Sequence, residues 1–291
     1  MSVNGLVVVD KEAGWTSHDV VARCRRVFGQ KRVGHAGTLD PDATGVLLVG
    51  LGRVTRLLRF LTVLPKTYTT DIVLGTETST QDASGEVVAT FDMAGVGASD
   101  VVQAAKELTG EIEQIPPMVS AVKVGGRRLH ELARQGIEVE RQPRPVTVYR
   151  FDTEPDPGRP GVFRAVIECS SGTYVRVLAH DLGRALGGGA HLENLRRTQI
   201  GSFGDADMHP LHAIGPEAVL TPAGAMRELD VVVVDAATAA SIRTGLALDR
   251  VPLGAVGDGP WAMLDARGAL LAVYEPTGSD RIHPAVVLAG D

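Results

Sequence analysis

Apolar positions along the chain change rhythm several times, and each change marks an element. "GLVVVDKEAG" opens with an unbroken apolar run that closes on an acid and a base, which predicts a short buried strand entering a turn. "TSHDVVARCRRVFG" then moves to helical spacing. Val20, Val21, Cys24 and Val27 share one face, Ser17 is the candidate N-cap and Gly29 the stop. "TGVLLVGLG" predicts a strand, "VTRLLRFL" a short helix with its arginines outward, and "KTYTTDIVLGTET" a strand by its alternation. A second amphipathic helix is expected in "ASDVVQAAKELTGEI", opened by Ser99 or Asp100. After the proline-punctuated "ERQPRPVTVYRF", the run "GVFRAVIECSSGTYVRVLAHDLGRALG" predicts strand, turn and helix. Residues 210–230 are loop-rich. Beyond them "DVVVVD", "VPLGAV", "PWAMLD" and "LLAVYEP" predict short strands around one helix, "AATAASIRTG". That pattern suits a compact, barrel-like module of about 60 residues, a size within the range that folds alone.

Length and composition suit a globular protein with a proper core, in one large domain or two. The first apolar run is too short for a signal peptide and no later one would span a bilayer, so a soluble cytoplasmic protein is expected. Cys24 and Cys169 have no metal-type spacing and are expected to be reduced and structural. The net charge of −6 argues against nucleic acid until its distribution is considered. From residue 228 onward nine acids face four arginines, which leaves the first 227 residues close to neutral. Within these, Lys123–Arg150 holds seven bases against three acids, and "RCRRVFGQKR" holds no acid. Such clusters suit phosphate contact, and equally suit solvated helix faces.

The densest punctuation is "GHAGTLDPDATG", Gly34–Gly45, with Asp40 and Asp42 two residues apart. Its glycine spacing fits neither phosphate-binding fingerprint. Three readings compete. Asp40 and Asp42 could hold a divalent metal for group transfer. Asp40 could be a single catalytic carboxylate in a rigid turn with His35 nearby. Or both acids could simply cap backbone N–H groups. Spacing alone does not choose among them.

The same loop, preceded by "DKEAGWTS", resembles the TruB family of tRNA pseudouridine synthases. The likeness continues in order through "KTYTTDIVLG", "QIPPMVSAVKVGGRRLHELARQGIEVERQPRPVTV", "CSSGTYVRVLAHDLG" and "HLENLRRTQIGSF", over most of the first 205 residues. Several ordered blocks are far more specific than one motif. The resemblance implies an α+β fold with a mixed, mainly antiparallel sheet flanked by helices over residues 1–228. A small β-rich, PUA-like domain would follow at 229–291, and 123–150 would be an RNA-gripping insertion. It also implies isomerisation of the T-loop uridine of tRNA, with no cofactor or metal, by a monomer that needs no obligate protein partner.

Carried across residue by residue, the resemblance makes Asp40 the catalytic carboxylate and Arg176 of "GTYVR" the cation that keeps it ionised by holding its pKa down. It makes Tyr68 the ring stacked on the target base and a candidate base for the C5 proton. His35 would hold the flipped-out nucleotide, and Tyr174 and Leu195 would line the uridine pocket. Lys11 stands where the family usually has Lys-Pro, with Glu12 in place of the proline. Arg127, Arg128, Arg141 and Arg144 would grip T-arm phosphates, with Arg196 and Arg197 extending the basic surface. Taken without the resemblance, Tyr68 suits a core tyrosine and Arg176 an outward strand charge.

Overall fold

The computed structural model describes residues 2–120, 123–133 and 135–288, with the backbone alone at Lys123, Val124, Arg128, His130 and Ala133. The unbroken apolar runs are unbroken because their strands are covered on both faces. In the Gly5–Lys11 strand, Leu6 and Val8 enter one core cluster while Val7 and Val9 enter another. Its antiparallel neighbour Thr44–Leu51 divides in the same way: Val46 and Leu48 point to one side, Leu47, Val49 and Leu51 to the other. The Lys66–Leu74 strand keeps the strict alternation its sequence predicts. Its Tyr68 and Ile72 face a core shared with the helices Ala98–Glu107 and Val175–Ala185.

These strands belong to a ten-stranded, mainly antiparallel sheet among the described residues. Along it lie Met208–Pro210, Gly5–Lys11, Thr44–Leu51, Ala190–Ile200, Lys66–Leu74, Val162–Cys169, Arg144–Pro155 and Gly110–Gln114. Val33–Ala36 and Val219–Leu220 pair alongside this path. The junction that matters is parallel and brief, with Arg196 beside Thr44 and Arg197 beside Gly45. On its other edge the Ala190–Ile200 strand runs antiparallel to Lys66–Leu74, so Arg197 also stands opposite Tyr68. A long chain separation thereby becomes one neighbourhood.

Several local expectations are corrected by the fold. The N-cap of the Ser17–Val27 helix is Thr16, closed by a capping box with Asp19, which leaves the Ser17 hydroxyl free for another task. Gly97 caps the Ala98–Glu107 helix, and Asp100 accepts its N–H. The proline-punctuated run is the twelve-residue strand Arg144–Pro155, paired with Gly110–Gln114 and Val162–Cys169. Residues 144–150 are therefore sheet. What precedes them is a Lys123–Val124/Arg127–Arg128 hairpin and a short helix, Leu129–Ala133. "VPLGAV" is a 3₁₀ turn, Val251–Leu253, because Pro252 cannot donate to a ladder and Gly254 ends the turn at φ +65°.

The C-terminal residues form a five-stranded sheet in the order Asp230–Val233, Trp261–Leu264, Leu270–Thr277, Arg281–Val287, Leu248–Asp249. Trp261 and Tyr274 are its buried centre, and each spends its polar atom on a carbonyl, that of Val256 and Leu246 respectively. This sheet is not self-sufficient in the way its length suggests. Ala262, Leu270, Val273, Val286 and Leu288 share a core cluster with Leu6, Val8, Val46 and Leu48. Arg53 and Arg56 donate to the carbonyls of Leu288 and Val287, and Arg59 pairs with Glu275. Arg56 and Arg59, expected to point into solvent, instead join the two sheets. Among the described residues no helix is long and apolar enough to cross a membrane.

Candidate active site

The turn carrying Asp40 lies between the Val33–Ala36 and Thr44–Leu51 strands and is held from three directions. Ser17, freed from capping, donates its hydroxyl to the Leu39 carbonyl (3.2 Å) and accepts the Leu39 N–H (2.9 Å). Lys11 is 0% exposed, and its ammonium donates to the carbonyls of Glu12, Trp15 and Pro41 at 3.0, 2.7 and 2.8 Å. Gly14 N–H also donates to Pro41 O. Lys11 therefore faces the backbone of the turn and not the cleft. Burial pulls its pKa down to about 8, against the opposing pull of Asp42 and Asp40. The third tether is Arg197, 1% exposed, whose guanidinium donates to the carbonyls of Val46 (2.8 Å), Gly37 (2.9 Å) and Thr38 (3.3 Å). Gly45, at φ +98°, is required where the turn meets this strand, because a Cβ there would stand 2.1 Å from the Arg197 carbonyl oxygen.

Arg176 reaches Asp40 from the first turn of the Val175–Ala185 helix. Its Nε lies 3.1 Å from Asp40 Oδ2 and its Nη1 3.6 Å from Asp82 Oδ2. The guanidinium also donates to the carbonyls of Thr80 and Val119, both at 2.9 Å. The arginine side chain is 5% exposed, so the outward-facing alternative is excluded, whereas 44% of the Asp40 side chain remains accessible at the cleft. The expectation that Arg176 holds the Asp40 pKa low is only half met. Burial pushes this carboxyl up and outweighs the lowering by Arg176, with Asp82 and Asp42 adding to the rise. Solvent at the open side moderates that push.

One cleft of about 270 Å³ is lined by Asp40, Tyr68, Tyr174, Arg176 and Leu195, with Lys66 and Arg197 in its wall. A second cleft of about 520 Å³ shares Asp40, Arg176 and Leu195 with it and extends toward Asp82 and Asn194. Tyr68 is 9% exposed; burial raises its phenol's pKa, while the nearby Arg197 charge opposes the rise. Tyr174 precedes the helix that carries Arg176, and the buried Gln114 amide clasps its backbone, accepting the N–H at 2.9 Å and donating to the carbonyl at 3.2 Å.

Not every expected residue joins this group. His35 lies outside the lining of both clefts, edge-on to His18 with centroids 5.5 Å apart. Its Nδ1 is buried without a partner, and burial pulls its pKa down to about 4, so it is neutral at pH 7. Arg127 is exposed and donates to Gln135, and Arg144 is exposed at the start of its strand. Arg141 donates to the Pro116 carbonyl and lies 3.6 Å from Glu138. The side chain of Arg128 lies outside the described structure. Arg196 and Arg197 do not extend a basic surface: the first forms a two-pronged pair with Asp10 (2.9 and 3.1 Å) and the second is buried. Cys24 and Cys169 are buried free thiols. Asp42 is exposed, and among the described residues no three His, Cys, Asp or Glu side chains converge in a metal-holding group.

Ser17, Lys66, Asp82 and Gln114 were not singled out as site residues from sequence, and Arg197 was placed only on a basic surface. Only Arg197 had a local signal, an arginine inside an otherwise strand-like run. The others act through backbone carbonyls or distant partners.

Comparison with known proteins identifies the family. Residues 25–175 match the family model described as TruB family pseudouridylate synthase (N terminal domain), and residues 176–240 match that of the tRNA pseudouridylate synthase B C-terminal domain. The chain is 45% identical to tRNA pseudouridine synthase B of Nocardia farcinica (strain IFM 10152), covering 98% of this chain and 94% of that protein. Its identity to the protein of the same name from Rhodococcus jostii (strain RHA1) is 48%, over 94% and 90% of the two chains. Among solved structures, a Cbf5-Nop10-Gar1 complex contains a chain that superposes with a TM-score of 0.75 at 27% identity, over 97% of this chain and 83% of that one. Matched by family models from residue 25 to residue 240, and by relatives over nearly its whole length, the chain belongs to the TruB family of pseudouridylate synthases.

Proposed function

We propose that this protein converts the T-loop uridine of tRNA to pseudouridine, with Asp40 as the reacting carboxylate. The observation that carries the reading is the Asp40–Arg176 contact at 3.1 Å, in a cleft also lined by Tyr68, Tyr174 and Leu195. Relatives 45–48% identical to this chain bear the name tRNA pseudouridine synthase B.

The chemistry is an isomerisation. The N1–C1′ bond breaks, the detached uracil turns, C5 bonds to C1′, C5 gives up its proton to solvent, and N1 gains one. Asp40 serves as an anion, either adding to C1′ or removing a ribose proton. Arg176 keeps that anion available against burial. The three tethers on the turn restrict its position, which matters because a misplacement of about 1 Å costs on the order of 100-fold in rate. Tyr68 offers a ring for the extruded base to stack on. The extrusion itself costs a few kcal/mol, recovered by stacking and by contacts to the RNA backbone. The exposed Arg127 and Arg144 suit such backbone contacts. Residues 229–288 serve as a PUA-like unit whose packing against the first sheet makes it part of the scaffold.

Release of tritium from tRNA labelled with [5-³H]uridine, measured in EDTA, tests the reading. Wild type is expected to release tritium, and Asp40→Asn to bind tRNA without releasing it. Full activity of Asp40→Asn would remove Asp40 from its role. A requirement for a divalent metal and a sugar nucleotide would replace the reaction class.

A further inference from the structure

We propose that Arg197 is a positioning residue of the reaction centre: its single guanidinium clamps the Gly37–Thr38 limb of the Asp40 turn to the sheet, beside the strand that carries Tyr68. The inference rests on the reading of Asp40 as the reacting carboxylate.

Three carbonyls from two segments converge on this side chain. It donates to Val46 O in one strand and to Gly37 O and Thr38 O in the turn, and it stands opposite Tyr68 of the neighbouring strand. Sheet register produces the convergence, since Arg197 stands beside Gly45 on one edge and Tyr68 on the other. The guanidinium suits the task because its donors form a rigid planar fork, which a lysine ammonium cannot reproduce. Its stem is fully enclosed, and it forms no ion pair with a carboxylate among the described residues. Taking a cation out of water is costly, and among the described residues only carbonyl oxygens offset it here. A scaffold has little reason to keep such a group; a site that must hold the Asp40 turn against the neighbouring strands has one.

The charge is also felt around the cleft. Lys11, Lys66 and His35 are each made less basic by Arg197, and the Tyr68 phenol is made more acidic by it. Lys66 lies two residues from Tyr68 in the same strand, its own ammonium turned to the carbonyls of Thr62 and Leu64. The fork that closes on the turn is thus a geometric feature of Arg197 and is not shared by the neighbouring lysine.

Arg197→Ala and Arg197→Lys separate this role from simple support of the fold. Both variants are expected to lose roughly 10–100-fold in kcat, with KM changed by less than about threefold. Amide exchange should accelerate at residues 37–43 while the rest of the sheet keeps its protection. Added methylguanidine should restore turnover to Arg197→Ala, and methylamine should not. If Arg197→Ala does not fold, Arg197→Lys decides. Wild-type kcat in Arg197→Lys, a loss confined to KM, or exchange accelerated throughout the molecule would each overturn the proposal. Asp40→Asn run alongside keeps the two readings apart. An inactive Asp40→Asn with a fully active Arg197→Lys sinks only this inference, while an active Asp40→Asn sinks the proposed function.

Discussion

Removing the Arg176 cation should move the ionisation on which the reaction depends. Arg176→Met keeps much of the side-chain volume but removes the ion pairs to Asp40 and Asp82 and the two hydrogen bonds to Thr80 O and Val119 O. Two unit charges 4 Å apart interact by about 1 kcal/mol in water and about 4 kcal/mol at an effective dielectric of 20. Because 44% of the Asp40 side chain is accessible, the lower part of that range applies. An effect of about 1–2 kcal/mol corresponds to roughly one pH unit. Burial, Asp82 and Asp42 would then push the carboxyl upward unopposed by Arg176. The acid limb of kcat/KM reports ionisations of the free enzyme, so it should move about one pH unit toward alkali. Tritium release followed between about pH 4 and pH 8 measures this directly.

Stability gives a second readout with a defined sign. A carboxyl whose pKa is raised in the folded state leaves stability unaffected below its unfolded value of 3.8 and lowers it progressively as pH rises through the folded value. The gap between wild type and Arg176→Met in thermal melts should therefore narrow toward acid. An acid limb that coincides in the two proteins, with activity nonetheless abolished, would refute the electrostatic role of Arg176 and leave only its hydrogen bonds to carbonyls.

Other perturbations have equally definite outcomes. Lys11 has a pKa of about 8 in the fold against 10.5 when free, so the unfolded chain holds the additional proton between those values and stability should rise with pH across that window. Urea melts of Lys11→Met should lack that segment of the rise and, near pH 7, show a loss of about 2–4 kcal/mol from three orphaned carbonyls. Deleting residues 229–291 should yield an aggregating or unfolded product, by light scattering and circular dichroism, because Leu270, Val273, Val286 and Leu288 belong to a core shared with the first sheet. A stable, monomeric 1–228 fragment would contradict that. Replacing Arg127, Arg128, Arg141 and Arg144 by Gln should weaken tRNA binding and flatten its salt dependence by roughly 0.7–0.9 for each phosphate no longer neutralised. Arg141, already engaged by Pro116 and Glu138, should contribute least when changed alone.

Much was legible in the sequence because it depends on neighbours along the chain. Alternation in Lys66–Leu74, helical spacing in Ser17–Val27 and the unbroken runs of Gly5–Lys11 and Thr44–Leu51 report burial that each segment experiences locally. The ordered motifs brought Asp40, Tyr68, Tyr174, Arg176 and Leu195 together as candidates, and all five line one cleft. The same motifs nominated Lys11, whose ammonium is spent on backbone carbonyls, and His35, which lies outside that lining.

Only the tertiary structure decided how the site is held. Ser17 could cap a helix or grip Leu39, and the choice depended on Thr16 closing the capping box first. Arg56 and Arg59 looked like solvent charges until the C-terminal sheet came within reach. Arg197 looked like part of a basic surface, yet sheet register places it between Gly45 and Tyr68, where backbone carbonyls take up its donors. The direction of the Asp40 pKa was likewise beyond sequence, because it balances burial and two acids against two cations whose distances are set by packing. Sequence determines which groups are available and the local periodicity of their burial. Packing determines their partners, and therefore which charges remain free to react.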